Sequence, residues 1–200
     1  MLVQITPPAI EPVRLQDARL QVRLTTDDPV TEDALIKLYI SAARRHAEAY
    51  TGRSFITQRW RLVLDGFPRC IELERGDVQR IDSITYRDMT GATQVVAWDE
   101  PTSSVQRSSD GTMVADISGG VARITPAFGC VWPVAVPEIG AVAVAYTAGY
   151  GGEEDVPEGI KSWILLRVAR LHADREEIVD GQAPSSYLDG LLDPYSILRA

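Results

Sequence analysis

Histidine and cysteine are almost missing from these 200 residues, two of each. Cys70 and Cys130 lack the CxxC spacing of a zinc or redox motif, so the expectation is two free, buried thiols in a reducing cytosol. His46 and His172 fall on different predicted helices, and neither neighbours a cysteine in sequence. A metal site pairing them across a helix contact is conceivable, but hydrogen-bonded or surface histidines ask for less. GxSxG, the P-loop, GxGxxG, HExxH and the EF-hand loop are all missing, which removes the usual signatures of hydrolases, nucleotide binders and metalloproteases. The reading is therefore a non-enzyme with no catalytic residue, no cofactor and no metal.

Long apolar runs are missing too. No stretch approaches the roughly 18 apolar residues of a membrane span, and MLVQITPPAI has neither the basic start nor the apolar run of a signal peptide. The expectation is a cytosolic protein that does not meet a membrane. Lysine is scarce: 18 of the 20 basic residues are arginine. The net charge of −8 and pI near 4.8 argue against broad electrostatic binding of nucleic acid, whose phosphates repel such a surface. Acidity suits a channel wall past which DNA slides without sticking, and suits most soluble proteins equally.

What is present is ordinary globular composition, 45% hydrophobic and 24% charged, long enough for one domain or one domain with an insertion. Pro7, Pro8 and Pro12 keep the first twelve residues out of helix. Leu15, Ala18, Leu20 and Val22 then allow a short helix over 13–24, ended by TTDDP. The clearest helix runs from Thr31 to Tyr50. Asp28 or Thr31 can cap it, Glu32 and Asp33 suit its positive end, and Gly52 is placed to close it in the left-handed conformation. Its apolar surface is broad: Leu35, Leu38, Ala42 and Ala49 recur at helical steps, with Ile36, Ile40, Ala43 and Ala47 beside them.

The pattern then changes to strands at 59–67, 70–74, 78–88 and 93–98, a pair within 111–126 around Gly119-Gly120, and a closing strand over 141–150. Asp155-Val-Pro-Glu158 opens a last helix reaching about Glu177. The acidic stretch 151–158 could hold a cation, and Asp65, Glu72, Glu74 and Asp77 could pair as acid and base; helix capping and ordinary hairpin loops explain both more simply. The organisation is α+β: an N-terminal helical part (1–55), an antiparallel β-rich insertion (56–150), a helix (151–180) that completes the helical core, and a tail (181–200). Tyr187, Leu188, Leu191, Leu192, Tyr195, Ile197 and Leu198 make that tail apolar, whereas chain ends are usually polar. Such a tail folds back on its own core or docks on another subunit, and the residues alone leave both open.

DALIKLYISAARRHAEAYTGRSF followed by TQRWRLVLDGFP, then IDSITYRDMTG, YTAGYG and VPEGIKSWILLRVARLHADRE, resembles the phage head–tail connector (adaptor) family, including the adaptors of gene transfer agents. The segments keep their order over residues 13–180, and AARRHAEAYTGR and YTAGYG are the more specific of them. The resemblance implies a helical structural subunit, made in the host cytoplasm and assembled at the head–tail joint as a ring, a dodecamer, beneath the portal protein. It implies a portal partner, a stopper or tail-completion partner, and DNA passing through the channel without specific binding. It also implies that the apolar tail residues named above dock on the portal. Leu35, Leu38, Ala42 and Ala49 are the expected contact with a neighbouring subunit. The β insertion is longer than the smallest connectors carry. The competing readings are another tail-completion protein, a small DNA-packaging factor or enzyme, and a ligand-binding β domain.

Overall fold

The computed structural model describes residues 1–24, 31–101, 103–173 and 190–197. The chain forms two compact units, one helical (9–56 and 151–200) and one β (1–8 and 57–150). The architecture is α+β, with the described strands in two antiparallel sheets.

In the helical unit, α1 (Leu15–Gln21), α2 (Thr31–Thr51) and α3 (Glu158–Ala173) pack pairwise, each on the other two. Ile36, Ile40, Ala43 and Ala47 recur at steps of three and four, so they share one face of α2, and all are buried. From α3, Ile160, Trp163, Ile164 and Val168 complete the core. Each fully buried isoleucine contributes about 1.5–3 kcal/mol by leaving water, against which the small alanines gain close approach. The helix expected over 13–24 is shorter: Val22 closes it and Arg23 turns left-handed at φ 61°. Gly52 sits at φ 70°, as its place after α2 requires. The Asp28 cap expected for α2 lies outside the described residues.

One buried ionic cluster joins α2 to the segments on either side of it. The Arg44 guanidinium donates to Glu11 at 2.7 Å and to Glu48 at 2.7 Å, and Glu48 also accepts the Phe55 N–H at 3.0 Å. Burial opposes the charge on Arg44, but the two carboxylates outweigh it and hold its pKa above the usual arginine value. Immediately beyond, Ile56 forms a parallel bridge with Gly151, so the two stretches of the helical unit meet where the β unit interrupts them.

In the β unit, β1 (Leu2–Thr6), β2 (Gln58–Leu64), β9 (Val142–Ala148), β4 (Val78–Arg87) and β5 (Thr93–Ala97) lie in that spatial order in one sheet. The second sheet runs β3 (Ile71–Leu73), β8 (Ala122–Pro126), β7 (Met113–Asp116), β6 (Val105–Arg107). Alternation decides the faces: Gln58, Trp60 and Leu62 are buried while Arg59 and Arg61 are exposed. Val142, Val144, Tyr146 and Ala148 of central β9 sit in the core with Ile81 and Ile84 of β4 and with Ile71, Leu73, Met113 and Ile124 of the other sheet. Gln106 links the sheets from a buried position: its amide oxygen accepts the Ile81 N–H at 2.7 Å, and its NH2 donates to Ile81 O at 2.8 Å and Asp99 O at 2.7 Å.

Residues 2–6, assigned from the sequence to the helical part, pair with β2 and pack with the β unit. Their LVQIT pattern is β-prone, and a free sheet edge satisfies its backbone better than solvent alone. β6 was not anticipated, because VQR has one apolar residue and buries its glutamine instead.

Candidate interaction surfaces

Both histidines are engaged with protein. His46 stacks on Trp163, centroids 5.6 Å apart and planes 10° from parallel, and His172 Nε2 lies 3.3 Å from a Glu32 carboxylate oxygen. Asp65 accepts the Gly140 N–H at 2.8 Å, and Glu72 pairs with Arg123 at 3.3 Å. In the acidic stretch, Glu153 pairs with Arg14 at 2.7 Å and Asp155 accepts the Gly152 N–H at 2.8 Å. Among the described residues no three His, Cys, Asp or Glu side chains gather as a metal site, and no helix is long and apolar enough to cross a membrane. Cys130 is exposed rather than buried as expected, because its loop crosses the surface; Cys70 is half-buried, and burial, then the nearby Glu72, pushes its thiol pKa up.

Apolar surfaces stand out among the described residues. On α2, Ala34, Leu38, Ala42, Arg45 and Ala49 are exposed and share one stripe at helical steps of four and three, turned away from the buried Ile36 face. Leu38 is 62% exposed. Three of the four expected subunit-contact residues thus lie together on a free face, with half-buried Leu35 at its margin. The acidic side chains of α2 turn elsewhere: Glu32 to His172, Asp33 to Arg19, Glu48 to Arg44.

A cleft of about 540 Å³ opens between α1 and the first turns of α3. Pro12, Val13, Leu20 and Leu165 supply its apolar lining, with Asp17 and Glu158 among its polar residues.

The tail residues divide. Tyr187, Leu188 and Leu198 lie outside the described residues. Leu191 and Ile197 are half-buried and Leu192 is fully buried within the helical unit. A 3-10 turn, Asp193–Tyr195, follows. Tyr50 Oη donates to Asp193 at 2.6 Å, Arg53 Nε to Tyr195 O at 2.6 Å, and the Ile197 N–H to Thr51 O at 2.9 Å. This bracket satisfies a last-turn carbonyl of α2, which no intrahelical donor reaches.

The sequence reasoning passed over one surface. The loop from Ala127 to Gly140 exposes Phe128, Val131, Val134 and Ile139, each at least 69%. Its bridge from Ala135 to Asp88 ties it to the end of the sheet opposite Thr57 and Tyr150. The signal was legible: VWPVAVPEI is nearly uncharged, and its prolines keep it from pairing as a strand.

The comparisons with known proteins place this fold. A family described as "Phage gp6-like head-tail connector protein" matches residues 12–85, from the start of α1 through most of β4. The chain is therefore similar to the head–tail connector proteins, as its sequence segments indicated. No curated protein sequence matches it. Among solved structures, the particular likeness is to gene transfer agent particles: a chain in "Neck of empty GTA particle computed with C6 symmetry" superposes at TM-score 0.77 and 21% identity, covering 100% of this chain and 97% of that one. A chain in the virion of a native gene transfer agent particle follows at TM-score 0.74 and 20% identity, with the same coverage. A chain from the neck of a native particle computed with C12 symmetry matches at 0.65 and 20%, again with 100% and 97% coverage. At these identities the likeness is one of fold.

Proposed function

We propose that this chain is a structural connector subunit at the head–tail joint of a phage-like particle. The observation that carries the reading is the agreement with neck chains over whole lengths, β unit included, joined to the connector family match over α1 and α2. In this role copies form a ring below the portal, twelve by resemblance, and extend the channel through which DNA passes. The stopper or a tail-completion protein binds the other side. Leu35, Leu38, Ala42 and Ala49 face a neighbouring copy, which accounts for a 62% exposed leucine on an otherwise small-residue stripe. The tail residues Tyr187, Leu188, Leu191, Leu192, Tyr195, Ile197 and Leu198 meet the portal; Leu192 reaches it only if its bracket opens on docking.

A net charge of −8 favours a wall that DNA slides past over one that grips it. Among the described residues no three His, Cys, Asp or Glu side chains gather to support the alternative of an enzyme or packaging factor, and chains of particle necks are what the fold resembles. The test is electron microscopy of particles from cells lacking the gene, with complementation. Separated tails beside filled or leaking heads are expected. Normally joined particles would remove the role.

A further inference from the structure

Each helix of the helical unit packs on the other two, so the outward stripe of α2 and the cleft between α1 and α3 lie on different sides of it. The stripe is a ridge: Leu38 projects between Ala34 and Ala42, and its only charged member is Arg45, with Lys37 at the flank. The cleft is concave, and its lining carries one acid more than its bases. Its apolar floor includes Leu20, which is 74% exposed. Its lining holds the acids Asp17, Glu153 and Glu158 against the bases Arg14 and Lys161, which pair with Glu153 at 2.7 Å and Glu158 at 3.0 Å, so the acid in excess is Asp17.

We infer that the α2 ridge of one copy seats in the α1–α3 cleft of the next, with Leu38 on the Leu20 floor and Arg45 toward the acidic rim. The occupant is a second copy of this chain: an apolar ridge and a cleft occur on one molecule, on different faces, which is the condition for a heterologous contact, and such a contact makes a ring when the rotation between copies closes. A two-fold dimer would bring basic ridge to basic ridge and leave the cleft empty. Opposite charge at the rim orients the encounter, and buried Leu38 and Leu20 hold it.

This contact rests on the ring reading above and specifies which faces meet. The test places Leu38→Cys and Leu20→Cys on one chain, with Cys70 and Cys130 changed to serine, and oxidises purified particles mildly. A ladder of covalent multimers longer than a dimer is expected on a non-reducing gel, with neither single-cysteine chain giving one. Particles that contain the chain but yield only monomer or dimer would overturn the contact while leaving the connector role intact. Absence of the chain from particles would overturn both. As a second test, Arg45→Glu alone should block joining of heads to tails, and Glu158→Arg added to it should restore joining. Both positions are exposed, so the fold, checked by circular dichroism, stays as in the parent. Wild-type joining by Arg45→Glu would also overturn the contact.

Discussion

Tyr195 lies so close over Gly159 that a methyl group there would stand 2.7 Å from the tyrosine oxygen. The first turn of α3 is thus left bare for the C-terminal bracket to rest on, and a residue chosen against helix propensity gains a reason.

Gly159→Ala separates the two roles. Alanine suits the helix better than glycine, so α3 should keep its melting temperature, while Tyr195 is displaced and cleavage within 190–197 accelerates in limited proteolysis. Parent-like protection would mean that this contact does not hold the bracket.

Arg44→Ala should be the most damaging single change in the helical unit. It strands Glu48 in the interior and releases Glu11, and removing one partner of a buried ion pair typically costs about 3–5 kcal/mol. Chemical denaturation followed by circular dichroism measures it. A loss below about 1 kcal/mol, the range of surface pairs, would show the cluster to be dispensable.

The β4–β5 turn should be the acid-sensitive part of the β unit. Asp88 accepts from the Thr90 hydroxyl, the Gln94 amide and the Thr90 and Ala92 N–H groups, which lowers its pKa to about 2. An unfolded aspartate titrates near 3.9. The folded value is the lower one, so the stabilisation is complete above about pH 4 and is lost as pH falls toward 2. Carboxyl NMR titration should find Asp88 near 2, with Asp110 and Asp116, held by Ser108 and Ser118, also below the ordinary aspartate value. A midpoint near 3.9 for Asp88 would refute the arrangement.

The two thiols should react at different rates. Cys130 is exposed and Cys70 is half-buried with a raised pKa, so a thiol reagent at neutral pH should label one equivalent fast and a second slowly. Mapping the fast label to Cys70 would contradict the structure.

Much of the fold was legible in the sequence because its elements are long. α2 announces itself through Ile36, Ile40, Ala43 and Ala47, and β4 and β9 through β-prone residues over seven positions or more, although bulges space the buried Val78, Ile81 and Ile84 of β4 three apart. β6 was not: it depends on a buried glutamine whose partners, Ile81 and Asp99, are set only by the tertiary fold. β1 was hidden for another reason, since an edge strand is defined by the neighbour it finds 53 or more residues away. For the interaction surfaces, periodicity placed Leu38, Ala42 and Ala49 on one side of a helix but could not say which side stays uncovered. The α1–α3 cleft joins residues near 17 to residues near 158, a proximity that no local pattern encodes. The tail shows the same limit: its apolarity was plain, and what Leu192 buries itself in was not.

The bridge between Ile56 and Gly151 means that the backbone leaves the helices and returns at neighbouring points. A lineage can therefore lengthen or trim the stretch 57–150 at this seam, with β1 joined separately through Pro7 and Pro8, without repacking Ile36 or Trp163.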